Sequence, residues 1–243
     1  MLHRRALGAL TVATALLMGA GPALAAPARK KIPLAKPAAA PVPSNDMSMG
    51  DPKARIQVTE YASLSCPHCG HFNETVFPSL KAKYIDTGRV RYTLKEMLTE
   101  PATVAAAGFL IARCAGPDKY FTVVDQVFRS QARWTSGNIK PIFQEIAAAN
   151  GVDETRFNAC LEDQAGVDAI TLRAKHAADV DGVSSTPTLI VNGKKIENTP
   201  KTPEELDAVI AQAVKALAAK QGAIKPGAIE SGAKKPKAKK GGH

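Results

Sequence analysis

Residues 56–69 read IQVTEYASLSCPHC, and this stretch decides the fold. Its alternating pattern predicts a β-strand from Ile56 to Ala62, with Val58 and Glu60 on the same face as these two. Two cysteines follow immediately, where apolar residues change to helical spacing. The sequence therefore predicts a strand that leads into a helix whose first turn carries a Cys-x-x-Cys motif.

The chain after this motif continues as helix and then as strand. Helical spacing extends to Tyr84, and the helix is expected to end before Gly88. Pro78 should kink or break it, because proline removes a backbone donor and crowds the preceding turn. A second strand is predicted over Val90 to Leu94, parallel to the first because a helix connects the two.

A block of helices follows, without a convincing strand among them. Glycine and proline separate segments in which apolar residues recur at helical spacing. These segments lie around residues 102–113, 118–129, 138–149, 153–161 and 166–179. The pattern indicates a helical insertion within an α/β fold.

Strand signals return towards the C-terminal end. A strand over Thr188 to Val191 leads through Asn-Gly at 192–193, a signal of a type I′ turn, into a strand over Lys194 to Glu197. The final helix is predicted to have Thr202 as its N-cap, with Glu205 completing a capping box.

The first 25 residues have the form of a secretory signal peptide. Two arginines precede an apolar run over residues 6–18, and the alanines at positions 23 and 25 suit a signal peptidase. An uncleaved anchor fits less well, because the run is shorter than the roughly 20 residues that span a bilayer. Export to the bacterial periplasm is therefore expected, and in an oxidising compartment four cysteines favour disulfides over metal thiolates.

The formal net charge of +10 lies in the terminal segments. Residues 1–53 hold seven Lys and Arg against two Asp, and residues 220–243 hold seven Lys against one Glu. The rest is close to neutral and lacks the net positive field of a nucleic-acid-binding protein.

Residues 26–50 and 220–243 are predicted to be a disordered linker and a disordered tail. The tail either aids solubility or tethers the protein weakly to an anionic envelope.

The position of Cys66 and Cys69 predicts a redox-active pair. Free N–H groups and the dipole at a helix start favour a thiolate on Cys66, and a protonated His68 would add positive charge. Pro67 belongs to the same candidate catalytic motif. A stabilised thiolate makes the disulfide a stronger oxidant, and Cys69, one turn inward, is expected to be the buried resolving thiol.

Two other uses of this motif fit less well. Haem attachment needs His directly after the second cysteine, where this chain has Gly70. A zinc site needs a second ligand pair at compatible spacing, whereas Cys114 and Cys160 stand far apart in sequence. Neither a metal nor an organic cofactor is therefore expected.

Two further positions are candidates for the site. Glu60 lies on the apolar face of its strand, where a carboxylate is costly without a partner or a role. It either accepts or relays the proton of Cys69, or reaches solvent at the strand end. Thr186-Pro187 is either a cis peptide that offers backbone groups to an extended substrate or an ordinary trans proline that opens a strand.

Two segments resemble the DsbA-type oxidases of the thioredoxin superfamily. They are residues 60–69, EYASLSCPHC, and residues 182–193, GVSSTPTLIVNG. The resemblance implies an α/β thioredoxin fold with an inserted all-helical subdomain. The implied limits are residues 51–100 and 181–219 for the thioredoxin-like domain and residues 101–180 for the insertion.

The same resemblance implies roles for the candidate residues. Cys66 is the expected nucleophile and Cys69 the resolving thiol, with Glu60 buried and Pro187 in the cis form. A quinone-linked membrane protein of the DsbB type is expected to re-oxidise the pair.

Cys114 and Cys160 are expected near the ends of the first and fourth inserted helices. Some branches of the family carry an extra cysteine pair, and export favours bonding, so a structural disulfide is predicted. The alternative is two separate buried thiols.

The predicted function is oxidation of reduced cysteines in exported proteins, through a mixed disulfide with Cys66. The first alternative is a disulfide isomerase or reductase on the same fold. The second is a non-enzymatic chaperone or binding module tethered to the envelope. A monomer is the natural expectation.

Overall fold

A computed structural model of the protein describes residues 46–136 and 138–222. Within these residues five strands form one sheet in the order β1-β3-β2-β4-β5, and only β2 and β3 run parallel. The strands are Met47–Met49 (β1), Ile56–Ala62 (β2), Val90–Glu96 (β3), Thr188–Val191 (β4) and Lys194–Lys195 (β5). The predicted signal peptide, most of the linker and almost all of the Lys-rich tail lie outside the described residues.

Five of the eight α-helices in the described part lie between β3 and β4. The helices are Pro67–Thr75 (α1), Phe77–Leu80 (α2), Ala102–Cys114 (α3), Pro117–Ser130 (α4), Ile139–Ala149 (α5), Glu154–Leu161 (α6), Gln164–Asp179 (α7) and Pro203–Gly222 (α8). None of them is long and apolar enough to cross a bilayer. The order of strands and helices confirms the predicted α/β thioredoxin fold with a helical insertion.

The prediction of a disordered linker over residues 26–50 was wrong for residues 47–49. Met47–Met49 forms an edge strand antiparallel to β3, with Met47 opposite Leu94 and Met49 opposite Tyr92. Three residues are too few to show an alternating pattern in sequence. The strand forms because β3 supplies its hydrogen-bonding partner.

The helix after the cysteines breaks where proline predicts. α1 ends at Thr75, and α2 begins at Phe77 with Pro78 in its first turn. A π-helical segment, Lys81–Ile85, then leads towards β3. The missing N–H of Pro78 thus falls in a helical first turn, where the backbone donor has no intrahelical partner.

The C-terminal hairpin and helix cap follow the predicted chemistry, with two differences. Asn192 and Gly193 both have positive φ, 50° and 78°, as a type I′ turn requires. The second hairpin strand ends at Lys195 instead of Glu197. The Glu205 N–H donates to the Thr202 hydroxyl, but the Glu205 carboxylate accepts from the Lys201 N–H instead of that of Thr202.

A disulfide joins Cys114, at the end of α3, to Cys160 in α6, with the Cα atoms 6.3 Å apart. It closes a loop with a sequence separation of 46 residues. Restricting such a loop in the unfolded chain stabilises the native state by about 4 kcal/mol in the chain-entropy model. The disulfide therefore fastens two helices of the insertion together.

A buried carboxylate connects the insertion to the sheet. Glu96, at the end of β3, is 2% exposed. Its Oε1 accepts hydrogen bonds from Arg113 Nε of α3 (2.7 Å) and the Tyr120 hydroxyl of α4 (2.8 Å), and its Oε2 pairs with Arg173 of α7. Three inserted helices thus converge on one side chain, which sequence reasoning missed.

Candidate redox site

Cys66 is the N-cap of α1, with extended backbone angles and Pro67 at the first helical position. Its side chain is largely covered, at 7% exposure, and Cys69 is fully buried one turn later. Both are free thiols in this structure. The two predicted cysteines therefore lie at a helix start, and both are buried, Cys69 more deeply than Cys66.

The surroundings of Cys66 favour its thiolate. Its pKa is lowered from 9.0 to about 5, chiefly by a hydrogen bond from the Cys69 thiol, with burial acting in the opposite direction. The Thr186 hydroxyl and the N–H groups of Cys69 and His68 also lower this pKa. Hydrogen bonds to the charged form thus outweigh desolvation.

Cys69 behaves in the opposite way. Burial is the main cause that raises its pKa, and its hydrogen bond to Cys66 and the charges of Glu60 and Cys66 raise it further. A group in this position must lose its proton to a nearby base before it can act as a nucleophile. The pair therefore combines a thiolate on Cys66 with a protonated thiol on the more deeply buried Cys69.

Titration of the reduced protein tests this arrangement. Thiolate absorbance at 240 nm should rise with a midpoint near pH 5, the pKa of Cys66. Cys69→Ala removes the largest stabilising hydrogen bond and should move the midpoint up by about one pH unit or more. Cys69→Ser keeps a donor at the same place and should leave the midpoint low. Equal midpoints in all three proteins would contradict the assigned cause.

Glu60 is buried, at 3% exposure, and does not reach solvent at the strand end. Its Oε2 accepts a hydrogen bond of 2.7 Å from the Tyr92 hydroxyl on β3. Burial raises its pKa from 4.5 to about 7, while the Tyr92 hydrogen bond lowers it and the Cys66 charge raises it. A carboxyl with such a pKa can both take and give a proton near neutral pH.

The Thr186–Pro187 peptide bond is cis and lies against Cys66. The Cys66 Sγ is 3.5 Å from the carbonyl oxygen of Thr186. The preceding segment is fastened to the sheet, since Asp181 accepts hydrogen bonds from the Tyr61 hydroxyl (2.8 Å) and from Lys95 (3.3 Å). The fold therefore holds this proline loop beside Cys66.

A surface cavity of about 460 Å³ includes Thr186, whose carbonyl oxygen lies 3.5 Å from Cys66 Sγ. It is lined by His68, His71, Phe72, Thr186, Pro187 and residues 197–201. The His68 side chain is exposed, and its backbone N–H is the group that acts on Cys66. The cavity is lined by both polar and apolar side chains.

Sequence reasoning missed Gln131, which joins the insertion to the cysteine turn. Its amide nitrogen donates to the carbonyl oxygens of Leu64 (2.9 Å) and Cys66 (3.1 Å). A Cβ at position 70 would lie 2.4 Å from its Oε1, so Gly70 permits this close approach. The two residues are 65 positions apart in sequence, so no local pattern predicts their contact.

A buried hydroxyl cluster also supports the turn. The Ser65 hydroxyl donates to the Thr99 carbonyl (2.7 Å), and the Thr99 N–H donates to the Ser63 hydroxyl (3.1 Å). The Cys66 N–H donates to the Ser63 carbonyl (3.0 Å).

In the part of the chain that the structure describes, no group of three or more His, Cys, Asp or Glu residues is arranged to hold a metal ion.

Sequence comparisons give consistent relatives. A thioredoxin family model matches residues 43–212. A Rickettsia bellii protein provisionally named a protein-disulfide oxidoreductase is 30% identical over 159 residues, 65% of this chain and 61% of that protein. A Rickettsia typhi protein with the same kind of name is 29% identical over the same length, 58% of its own. The match thus spans less than two thirds of these curated relatives.

Solved structures show the same fold. Wolbachia pipientis alpha-DsbA1 is 29% identical, with a TM-score of 0.66 over 74% of this chain and 96% of the Wolbachia chain. Bacillus subtilis BdbD in its oxidised form is 20% identical, with a TM-score of 0.59 over 70% of this chain and 93% of BdbD.

Proposed function

The chain belongs to the thioredoxin family, in its DsbA-type branch, and from this membership we propose that it is a thiol–disulfide oxidoreductase. The proposed reaction donates the disulfide of Cys66 and Cys69 to reduced cysteines of exported proteins. The difference between the two cysteines is the observation that carries this proposal. The pKa of Cys66 is lowered to about 5 and that of Cys69 is raised.

This difference favours the oxidising direction. A thiolate that is stable at neutral pH stabilises the reduced pair relative to its disulfide. It also makes Cys66 a good leaving group when a substrate thiolate attacks a mixed disulfide. The oxidised pair should therefore transfer its disulfide readily to other proteins.

The proposed reaction proceeds in two exchanges. A substrate thiolate attacks Cys66 Sγ, the bond between Cys66 and Cys69 breaks, and Cys69 leaves and takes a proton from Glu60. A second substrate thiolate attacks the substrate sulfur of the mixed disulfide, which breaks its bond to Cys66. The substrate gains a disulfide, and its two electrons reside on the reduced pair, with Cys66 as thiolate.

The substrate is proposed to bind as an extended segment in the cavity beside Cys66. The backbone at Thr186 and Pro187 can pair with such a segment, and backbone recognition allows broad sequence specificity. Exposed His68 borders the same opening and would contact substrate side chains.

Location and partners follow from the same proposal. The protein would act in the bacterial periplasm after cleavage of its signal peptide, as a monomer. A quinone-linked membrane protein of the DsbB type would re-oxidise the pair. The Lys-rich tail, with one Glu among its lysines, would attract the protein weakly to anionic envelope components.

The reduction potential of the pair tests the direction of transfer. Equilibration with glutathione buffers should give a potential more oxidising than the glutathione couple. A value near that of thioredoxin, about −270 mV, would reverse the assignment to a reductase. Refolding of a scrambled multi-disulfide protein would then separate an oxidase from an isomerase.

A further inference from the structure

The buried carboxyl of Glu60 receives one hydrogen bond from the described side chains, and the donor is Tyr92. Tyr92 lies opposite Val58 in the parallel register of β2 and β3, while Glu60 lies opposite Leu94. The two side chains are therefore diagonal neighbours on one face of the sheet.

Packing fixes the position of the Tyr92 hydroxyl. The side chain is 3% exposed, and its ring centroid is 5.0 Å from that of Phe77 and 5.9 Å from that of Phe121. These rings come from α2 and from α4 of the insertion. A ring held from two sides cannot turn its hydroxyl towards water, so the hydroxyl remains directed at the carboxyl.

The titratable groups around Glu60 are few. Cys66 at the N-cap of α1 and Cys69 within α1 face it, Tyr92 faces it from β3, and Tyr120 of α4 acts on Tyr92. Burial raises the pKa of Tyr92 well above 10, and the charge of Glu60 raises it further. Tyr92 therefore keeps its proton and remains a donor whether Glu60 is charged or neutral.

We propose that Tyr92 is a positioning residue of the redox site, whose hydroxyl stabilises the ionised form of Glu60 so that this carboxylate can take the proton of Cys69. The inference rests on the proposed function and adds a residue to it. Without a donor, a buried carboxylate is costly and stays protonated to higher pH. Tyr92 then decides how much of Glu60 is available as a base.

The step that depends on this base is closure of a mixed disulfide with glutathione at Cys66. The Glu60 carboxylate takes the proton from Cys69, and the Cys69 sulfur attacks Cys66 Sγ. The bond between Cys66 and the glutathione sulfur breaks, and glutathione leaves as thiolate. The closure rate follows the ionised fraction of Glu60 and therefore rises with pH.

Closure rates of the full chain, measured by stopped flow across pH, test the role of Tyr92. The wild-type midpoint should lie below about pH 7, since the mixed disulfide removes the Cys66 charge that raises the Glu60 pKa. Tyr92→Phe should move the midpoint up by about one pH unit, because it removes a hydrogen bond to a charged group. Its rate should fall about tenfold below the midpoint and recover at high pH.

Two variants serve as controls. Tyr84→Phe removes a tyrosine–carboxylate hydrogen bond of the same length, from the Tyr84 hydroxyl to the more exposed Asp207 at 2.7 Å, and should leave the profile unchanged. Glu60→Gln should abolish this phase of the profile. A Tyr92→Phe profile that superimposes on those of wild type and Tyr84→Phe would overturn the role of Tyr92.

A second measurement covers the case in which Tyr92→Phe fails to fold. The chain has four tyrosines, and replacing all of them with 3-fluorotyrosine makes each hydroxyl a stronger donor. The closure midpoint should then move to lower pH, and an unchanged midpoint would count against the inference.

The reduction potential of the wild type separates the proposal for Tyr92 from the proposed function. A reducing potential refutes the proposed direction, whereas an unmoved profile with an oxidising potential refutes Tyr92 alone.

Discussion

Cys66→Ala is expected to abolish dithiol oxidation, with a fall of about a thousandfold or more in the rate of disulfide transfer to a reduced peptide. Cys66 Sγ is the sulfur that the substrate attacks in the proposed reaction, and Cys66 and Cys69 are the only free cysteines in the described part of the chain. The measurement is oxidation of a two-cysteine fluorescent peptide by the full chain, with glutathione disulfide as the terminal oxidant.

The matched control removes the other cysteine pair. Cys114→Ala combined with Cys160→Ala deletes the disulfide within the insertion and leaves the turn at 66–69 intact. Its oxidation rate should stay near the wild-type value below the temperature at which it unfolds. Activity retained by Cys66→Ala, or lost only with Cys114 and Cys160, would refute the assigned site.

Glu96→Gln is expected to lower the free energy of unfolding by about 3 kcal/mol or more. The change keeps the side-chain shape but removes the negative charge that Arg173 and Arg113 face. The Arg173 side chain is only 10% exposed and would keep an uncompensated charge. Urea denaturation of the oxidised protein, followed by circular dichroism, measures the loss.

An exposed pair provides the control for this prediction. Glu145 and Arg133 are 2.8 Å apart, and their side chains are 64% and 53% exposed. Glu145→Gln should leave the free energy of unfolding almost unchanged, because water screens an exposed pair. If both substitutions lower the free energy of unfolding equally, the contacts of three helices with Glu96 stabilise the protein no more than a surface ion pair does.

The architecture could be predicted because its signals are local. Alternation at Ile56 to Ala62, helical spacing in the insertion and the Asn-Gly turn at 192–193 each act within a few residues. Pro78 broke its helix for a reason that backbone geometry supplies alone. β1 escaped prediction because a strand of three residues depends on its partner, β3.

In the candidate site, too, local features could be predicted from the sequence and long-range contacts could not. The sequence alone determined that Cys66 and Cys69 follow a strand at a helix start, and that a carboxyl at position 60 lies on the strand's apolar face. It left open whether Glu60 reaches solvent and whether the peptide bond before Pro187 is cis. Tertiary structure decided both, and it added the hydrogen bonds of Tyr92, Gln131 and Glu96. These contacts join residues 17 to 77 positions apart, and a pattern within one helix or strand carries no information on what will face it across the core.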